Sequence, residues 1–214
     1  EAIAAWERTA VFSPFTSKYN AWLAGRARLT PRELRGLRLF EREDKGNCAA
    51  CHPVARGADG KGGLGTDFTY DSLGVPKNPA NPFYRLAAQY NPAGQARVDH
   101  GLGGVVRQAS DYGKFKVPTV RNVELTAPYM HNGYFGSLRA VVDFYNTRDV
   151  KLRCAQEIVA EAEALQFGCW PRPEMVANVN SEELGNLRLA SSEVDDIVAF
   201  MLTMTDGWSE MGVR

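Results

Sequence analysis

The sequence predicts an all-α fold with long loops, and three observations support this prediction. A capping box with proline at the first helical position, Thr30-Pro31-Arg32-Glu33, marks a helix start. Apolar residues recur at helical spacing after Ser137 and again after Ser191, which predicts two further amphipathic helices. No alternation of apolar and polar residues is long enough to predict a strand.

In chain order, the first elements are two short helical pieces at residues 2–6 and 19–23, separated by Ser13-Pro14. The helix after the capping box carries an apolar stripe and is expected to end near Gly46. Residues 55–95 are rich in Gly, Pro, Asn and Asp, which predicts a long irregular loop. The stripes of the three main helices are Leu34, Leu37 and Phe40; Leu138, Val141, Val142 and Tyr145; and Val194, Ile197, Val198 and Met201.

These elements predict one domain at residues 30–206, preceded by a connector at 1–29 and followed by a C-terminal tail at 207–214. Residues 146–190 are interpreted as an insertion ahead of the last helix. The chain has 25 Lys and Arg against 25 Asp and Glu, and this zero net charge argues against nucleic-acid binding through a broad basic surface. No run of about 18 apolar residues is present, so no membrane span is predicted.

The motif that carries chemistry is Cys48-Ala49-Ala50-Cys51-His52, the CxxCH sequence of covalent haem c attachment. Two cysteines at this spacing can each form a thioether with a haem vinyl group, and the adjacent histidine can bind the iron. A redox-active disulfide is one alternative, but it is typical of a thioredoxin-like βαβ context. A zinc site is another, and it needs a further ligand pair, whereas His100 and His131 are isolated. The motif therefore predicts one covalent haem c.

The helix before this motif places Gly36 and Phe40 one turn apart, and the last helix provides a matching apolar run at Asp196–Met201. Glycine permits close approach of two helices, and aromatic side chains fill the crossing. This pair resembles the crossed N- and C-terminal helices of the cytochrome c fold. We therefore expect a cytochrome c-like helical domain whose long loops surround the haem.

The segment Gly113–Gly133, GKFKVPTVRNVELTAPYMHNG, is highly specific. Together with Leu138–Tyr145 and Cys169-Trp170-Pro171, it resembles the bacterial di-haem cytochrome c peroxidase/MauG family. The resemblance covers roughly residues 20–206 and matches the second, C-terminal haem domain of that family. The first domain of the family carries its own CxxCH and the peroxide-reacting haem, and it has no counterpart in this sequence. The resemblance thus implies a fragment, a processed half or a single-haem relative.

The resemblance also implies where the sixth iron ligand lies. Family peroxidases place a methionine at the end of the helix after the TAPY segment, and the MauG branch places a tyrosine there; the matching residue is Tyr145. Met130 is the alternative, because methionine is the usual cytochrome ligand, although it lies in the loop before that helix. An open or differently ligated iron is the third reading, in which Tyr145 only continues the apolar stripe.

Two further binding roles follow from the resemblance. Thr126 and Pro128 match residues whose backbone carbonyls bind a calcium ion between the two domains, and carbonyl oxygens suit that hard cation. The remaining calcium ligands belong to the missing domain, so an ordinary turn is the alternative for this segment. Arg121 lies inside the family segment and is expected near a haem propionate.

Cys154 and Cys169 lie 15 residues apart in the insertion and are expected to form a disulfide. The reason is that haem attachment to CxxCH takes place outside the cytoplasm, where disulfides persist. A loop of this size contributes about 3 kcal/mol in the chain-entropy description. Two buried free thiols are the alternative.

The expected function is a haem-c electron-transfer domain of a periplasmic, exported di-haem peroxidase-like oxidoreductase. The full assembly is expected to reduce hydrogen peroxide, while this haem stores or relays oxidising equivalents. The alternatives are a stand-alone monohaem electron carrier and a MauG-like oxidant of a protein substrate. The expected partners are a second haem domain or subunit and a small redox protein that donates electrons.

Overall fold

The structure is a computed structural model that describes residues 1–7, 9, 11–12, 14–57 and 62–210. Ser13, residues 58–61 of the predicted loop and residues 211–214 of the predicted tail lie outside these residues. In the described chain, no helix is both long and apolar enough to cross a membrane. The α-helices found there are α1 (Ala2–Glu7), α2 (Lys18–Leu23), α3 (Pro31–Glu41), α4 (Gly101–Val106), α5 (Leu138–Thr147), α6 (Glu161–Phe167) and α7 (Ser191–Leu202).

Two pairs of short strands correct the prediction of an all-α fold. Strand β1 (Tyr70–Asp71) pairs antiparallel with β2 (Phe115–Lys116), and β3 (Leu152–Arg153) pairs parallel with β4 (Cys169–Trp170). Strands of two residues leave no alternating pattern in the sequence, because alternation needs four or more residues to be seen. Each pair joins two loops that are distant in the chain, so the long loops of this helix-rich fold are tied to one another.

The predicted start of α3 is confirmed in atomic detail. The Thr30 hydroxyl accepts a hydrogen bond from the Glu33 amide at 3.2 Å, and the Glu33 carboxylate accepts one from the Thr30 amide at 2.6 Å. The predicted end near Gly46 is wrong, because α3 ends at Glu41. Gly46 has a packing role instead: a Cβ there would lie 2.3 Å from the Leu39 carbonyl oxygen.

Helices α3 and α7 cross at Gly36, as the sequence predicts. A Cβ at Gly36 would lie 1.9 Å from the backbone oxygen of Asp196, so only glycine allows the two backbones this approach. One turn later, the ring of Phe40 meets that of Phe200 edge-on, with 5.2 Å between centroids. The Asp196 carboxylate accepts a hydrogen bond from Arg35 Nε at 2.8 Å across the same crossing.

The segment before Thr30 also contributes to this core. Tyr19 is almost fully buried, its ring meets Phe200 at 5.3 Å, and its hydroxyl donates to the Val54 carbonyl at 3.0 Å. Leu29 is buried in the same hydrophobic cluster. Residues of the predicted connector thus pack against the crossing of α3 and α7.

Helix α5 joins two hydrophobic clusters. Its Leu138 and Val142 belong to the cluster at the crossing of α3 and α7, while Val141 and Phe144 belong to a second cluster. In the second cluster Phe144 packs edge-on against the fully buried Trp170 of the insertion, at 5.4 Å between centroids. Because both faces of α5 are packed, the side chains that it presents to the interior have well-defined positions.

The insertion is fixed by a disulfide and by a buried arginine. Cys154 and Cys169 are bonded, which confirms the predicted bridge. Arg148 is fully buried directly after α5. Its guanidinium pairs with Asp149 at 2.7 Å and donates to the carbonyls of Leu73 at 2.9 Å and Asn180 at 2.6 Å. These bonds connect α5, the first long loop and the insertion at one point.

Candidate functional site

A cavity of about 390 Å³ lies between the end of α3, helix α5 and the loops around β1 and β2. Its volume falls in the range of roughly 300–1,000 Å³ that is typical of cofactor and ligand sites. Much of its wall is apolar, and it includes side chains of both the α3–α7 core and α5. Among these apolar residues are Phe40, Val120, Leu138, Val142, Leu187 and Met201.

The structure brings the CxxCH residues together in this cavity. Cys48, Cys51 and His52 all line it, and both cysteines are free thiols. Asn47, in a left-handed conformation with φ of 51°, turns the chain into the short 3₁₀ helix Cys48–Ala50. Burial raises the pKa of the Cys48 thiol to about 12 and that of Cys51 to about 11, so both sulfurs are protonated at neutral pH.

His52 is held in one orientation by the loop that follows it. Its Nδ1 lies 2.9 Å from the Gly65 carbonyl oxygen, which requires the Nδ1 hydrogen and leaves the Nε2 lone pair free for a metal. Burial lowers the pKa of His52, which favours the neutral imidazole that a metal binds. Gly65 is needed there, because its φ is +67° and a Cβ would lie 2.6 Å from Val120 Cγ2. The sequence carried no signal for this partner beyond a glycine-rich loop.

The two candidate sixth ligands are neighbours in the same cavity. Tyr145, near the end of α5, and Met130, in the loop before it, both line the wall. The Tyr145 hydroxyl donates to Met130 Sδ at 3.8 Å. The exposed part of Tyr145 faces the cavity, and burial raises the pKa of its phenol above the ordinary value. A phenol in this place is neutral unless a bound cation removes its proton.

His131 is a third polar group on this wall, whereas His100 does not line the cavity. The His131 ring stacks on Phe115 with 3.6 Å between centroids. Burial lowers the pKa of His131 to about 4, so this imidazole is neutral at pH 7.

Arg121 does not line the cavity in the described structure. Its Nη2 donates to Asn20 Oδ1 at 2.7 Å and meets Asp206 at 3.4 Å, while its guanidinium lies over the Phe15 ring at 4.3 Å. Those contacts join Phe15 and α2 to the segment after α7. The propionate-binding role of Arg121 stays a prediction.

Thr126 and Pro128, the predicted calcium residues, both line the cavity. Their calcium-binding role stays a prediction. Glu174, which the sequence did not single out, lines the cavity as well. Its Oε1 accepts a hydrogen bond from the Tyr84 hydroxyl at 3.0 Å, while its buried Oε2 has no partner in the described structure. A glutamate in a loop of a polar insertion has no sequence signal that separates it from a surface residue.

These residues fit a covalently bound haem c. One cavity is lined by the two thiols of the CxxCH motif, by the His52 imidazole, whose Nδ1 is hydrogen-bonded to Gly65, and by Tyr145 and Met130. The remaining lining is largely apolar, which suits a porphyrin face. A structural zinc ion takes four protein donors, and the largest group of His, Cys, Asp and Glu donors within the described residues is three, Cys51, Asp71 and Glu183.

Known proteins similar to this chain are MauG proteins and cytochrome-c peroxidases. No protein-family model matches the sequence. The chain is 36% identical over 209 residues to the methylamine utilization protein MauG of Paracoccus denitrificans, covering 96% of this chain and 50% of that protein. It is 30% identical over 213 residues to the cytochrome-c peroxidase IdrP1 of a Pseudomonas species, covering 94% of this chain and 47% of that protein.

A solved structure gives the same result for the fold. The chain superimposes on a variant of the diheme peroxidase BthA from Burkholderia thailandensis with a TM-score of 0.68 and 32% identity, over 92% of this chain and 47% of that one. The chain spans about half the length of the curated relatives that it matches. Over that length, its homologues are bacterial MauG proteins and di-haem cytochrome c peroxidases.

Proposed function

We propose that the chain is a haem-c electron-transfer domain of a periplasmic di-haem peroxidase-like oxidoreductase. The full assembly, with a second haem domain, reduces hydrogen peroxide, and this domain stores or relays one oxidising equivalent. The observation that carries the proposal is the convergence of the CxxCH residues and Tyr145 on one apolar cavity. The names of the similar proteins, a MauG protein and cytochrome-c peroxidases, support the same class of chemistry.

In this proposal each residue of the motif has one task. Cys48 and Cys51 anchor the haem through thioethers, and His52 binds its iron through Nε2. Haem supplies one-electron redox chemistry when it is bound. The Gly65 carbonyl, 2.9 Å from His52 Nδ1, fixes the plane of the imidazole and increases its basicity. The apolar wall excludes water from the site, which strengthens the electrostatic interactions within it.

Tyr145 is the sixth ligand in the proposal. A phenolate is a hard anionic oxygen that favours ferric iron and lowers the reduction potential, whereas a thioether favours ferrous iron and raises it. A tyrosine-ligated haem therefore suits the storage of oxidising equivalents. A Tyr145 side chain held in place by α5 would bind the iron in competition with peroxide.

Replacing Tyr145 by phenylalanine tests the ligand directly. The haem-loaded variant is expected to lose the ferric phenolate absorption and to show a higher midpoint potential, since the anionic oxygen is gone. Absorption spectra and a redox titration of the purified chain measure both effects. Tyr129→Phe is the matched control, because Tyr129 lines the same cavity and the substitution also removes one hydroxyl. A Tyr145→Phe spectrum identical to that of the parent chain would refute the assignment.

A peroxide assay separates the proposed domain from a stand-alone enzyme. The haem-loaded chain alone is expected to exchange electrons with a small reduced c-type cytochrome but to consume hydrogen peroxide slowly, because His52 and Tyr145 would both bind the iron and leave no site for peroxide. Addition of a second haem domain of the family, fused or in trans, is expected to restore peroxide reduction. Fast peroxide turnover by the chain alone would contradict the proposal. Electron exchange without any gain from the second domain would favour a monohaem carrier.

A further inference from the structure

One hydrogen bond joins the two donor atoms on the cavity wall. The Tyr145 hydroxyl donates to Met130 Sδ at 3.8 Å, and this is its one hydrogen bond within the described residues. A thioether sulfur is a weak acceptor and carries no hydrogen that it could donate. The contact therefore orients the phenol O–H without supplying a proton to the phenol oxygen.

The two partners are held by different parts of the fold. Tyr145 is set by α5, and its ring packs against both hydrophobic clusters. Met130 lies in a tight turn: the flanking Tyr129 and Phe135 form an isolated antiparallel bridge, and the Gly133 amide donates to the Met130 carbonyl at 3.2 Å. The turn places the Met130 side chain against a helix to which it is not adjacent in sequence.

The backbone of Met130 is in an uncommon conformation. Its φ is +71°, in the left-handed region that residues other than glycine rarely adopt. Such a residue persists where its surroundings determine its conformation, and these positions cluster at functional sites. Asparagine or glycine would adopt this conformation with less strain. Backbone conformation alone therefore does not account for a methionine at this turn.

We propose that Met130 is a positioning residue for Tyr145, which holds the phenol toward the cavity and keeps its oxygen free of hydrogen-bond donors. The inference rests on the proposed role of Tyr145 as sixth ligand. An amide, hydroxyl or ammonium group in the place of the sulfur would donate to a phenolate and withdraw electron density from it. The thioether leaves the phenolate fully available to a ferric ion. Met130 thereby favours the oxidised state without binding the metal.

The test compares four variants of the haem-loaded chain by ferric absorption spectra and midpoint potential. Met130→Gln adds an N–H donor at similar size, and is expected to move the phenolate-to-iron band to shorter wavelength and to raise the potential. Met130→Leu removes the sulfur but adds no donor, and is expected to broaden that band because the phenol is less well oriented. Tyr145→Phe is the reference that removes the band. Met204→Leu is the control, since Met204 is fully buried but does not line the cavity.

The outcomes distinguish a failure of the positioning role of Met130 from a failure of the ligand role of Tyr145. If Tyr145→Phe removes the band while both Met130 variants keep the band and potential of the parent chain, the positioning role of Met130 is wrong and the ligand role of Tyr145 stands. If Tyr145→Phe leaves the spectrum unchanged, the ligand assignment fails. If Met130→Leu alone abolishes the sixth-ligand signature, Met130 is the ligand and both assignments are overturned. Far-UV circular dichroism confirms that each variant is folded.

Discussion

Replacing His52 by alanine is expected to leave haem attached to Cys48 and Cys51 but to abolish its low-spin ferric spectrum. His52 lines the cavity, and its Nδ1 is hydrogen-bonded to the Gly65 carbonyl at 2.9 Å, so Nε2 is the nitrogen that we expect to bind the iron. No second histidine occupies an equivalent place: His131 is stacked on Phe115 and follows the distal candidate Met130 in the chain. Loss of the axial nitrogen therefore changes the spin state of all the bound haem. Absorption and electron paramagnetic resonance spectra measure this change.

Two additional measurements make the His52 prediction specific. Added imidazole is expected to restore much of the low-spin spectrum of His52→Ala, since the freed volume and coordination position remain. His100→Ala is the matched control and is expected to keep the parent spectrum, because His100 does not line the cavity. A low-spin spectrum of His52→Ala that equals the parent's without imidazole would show that another residue binds the iron on this side.

Replacing Gly36 by alanine is expected to destabilise the folded chain by about 3 kcal/mol or more, at the upper end of the usual cost of overpacking. The added Cβ would lie 1.9 Å from the Asp196 carbonyl oxygen and 2.9 Å from Phe200 Cβ, so helices α3 and α7 must separate. Alanine is the better helix former by about 1 kcal/mol, and in an uncrowded helix the same change would stabilise the protein. A decrease in the free energy of unfolding of Gly36→Ala would therefore show that α3 and α7 are in close contact at this position. Denaturant unfolding of the two chains measures it.

Arg38→Ala is the control for Gly36→Ala. Arg38 is exposed on the same helix, and its replacement is expected to change the free energy of unfolding by no more than about 0.5 kcal/mol. If Gly36→Ala were as stable as the parent chain or more stable, the close crossing of α3 and α7 would not exist as described. If Arg38→Ala lowered the free energy of unfolding as much as Gly36→Ala, the loss would reflect a general sensitivity of helix α3 to substitution and not the helix crossing.

Local signals in the sequence predicted the parts of the fold that depend on neighbouring residues. The capping box at Thr30 and Glu33 uses a spacing of three residues, and its two hydrogen bonds are formed. The CxxCH spacing likewise placed Cys48, Cys51 and His52 in one cavity, and Gly36 marked the helix crossing. The capping box and the CxxCH motif act over three to five residues and so leave a pattern in the sequence, whereas Gly36 was recognised from its place one turn before Phe40 although its contact is with the distant helix α7.

Contacts between distant segments left no such pattern. The carbonyl of Gly65 that orients His52 carries no side-chain signature, and the strand pair at Tyr70 and Lys116 is too short to show alternation. The partners of Arg121 within the chain likewise left no pattern in the sequence. Its guanidinium bonds to Asn20 and Asp206, which come from α2 and from the segment after α7. Tertiary packing decides such pairings.

The contact between Tyr145 and Met130 also depends on the tertiary fold. From the sequence, Tyr145 and Met130 are alternative predictions for the sixth ligand. The structure shows the Tyr145 hydroxyl and the Met130 sulfur 3.8 Å apart in one cavity. The two residues can therefore act together, one as the ligand and the other as its hydrogen-bond partner. Their distinct chemistry, a hard oxygen and a soft sulfur, makes the relation measurable by spectroscopy.

The central claim is that this cavity holds one haem c, attached through Cys48 and Cys51. Its most direct test is the mass of the denatured chain after production in a host with a c-type cytochrome maturation system. We expect the chain to exceed its sequence mass by one haem, and the variant with serine at both cysteines to have its sequence mass alone. A parent chain at its bare sequence mass, or haem that leaves on acid–organic extraction, would contradict the claim.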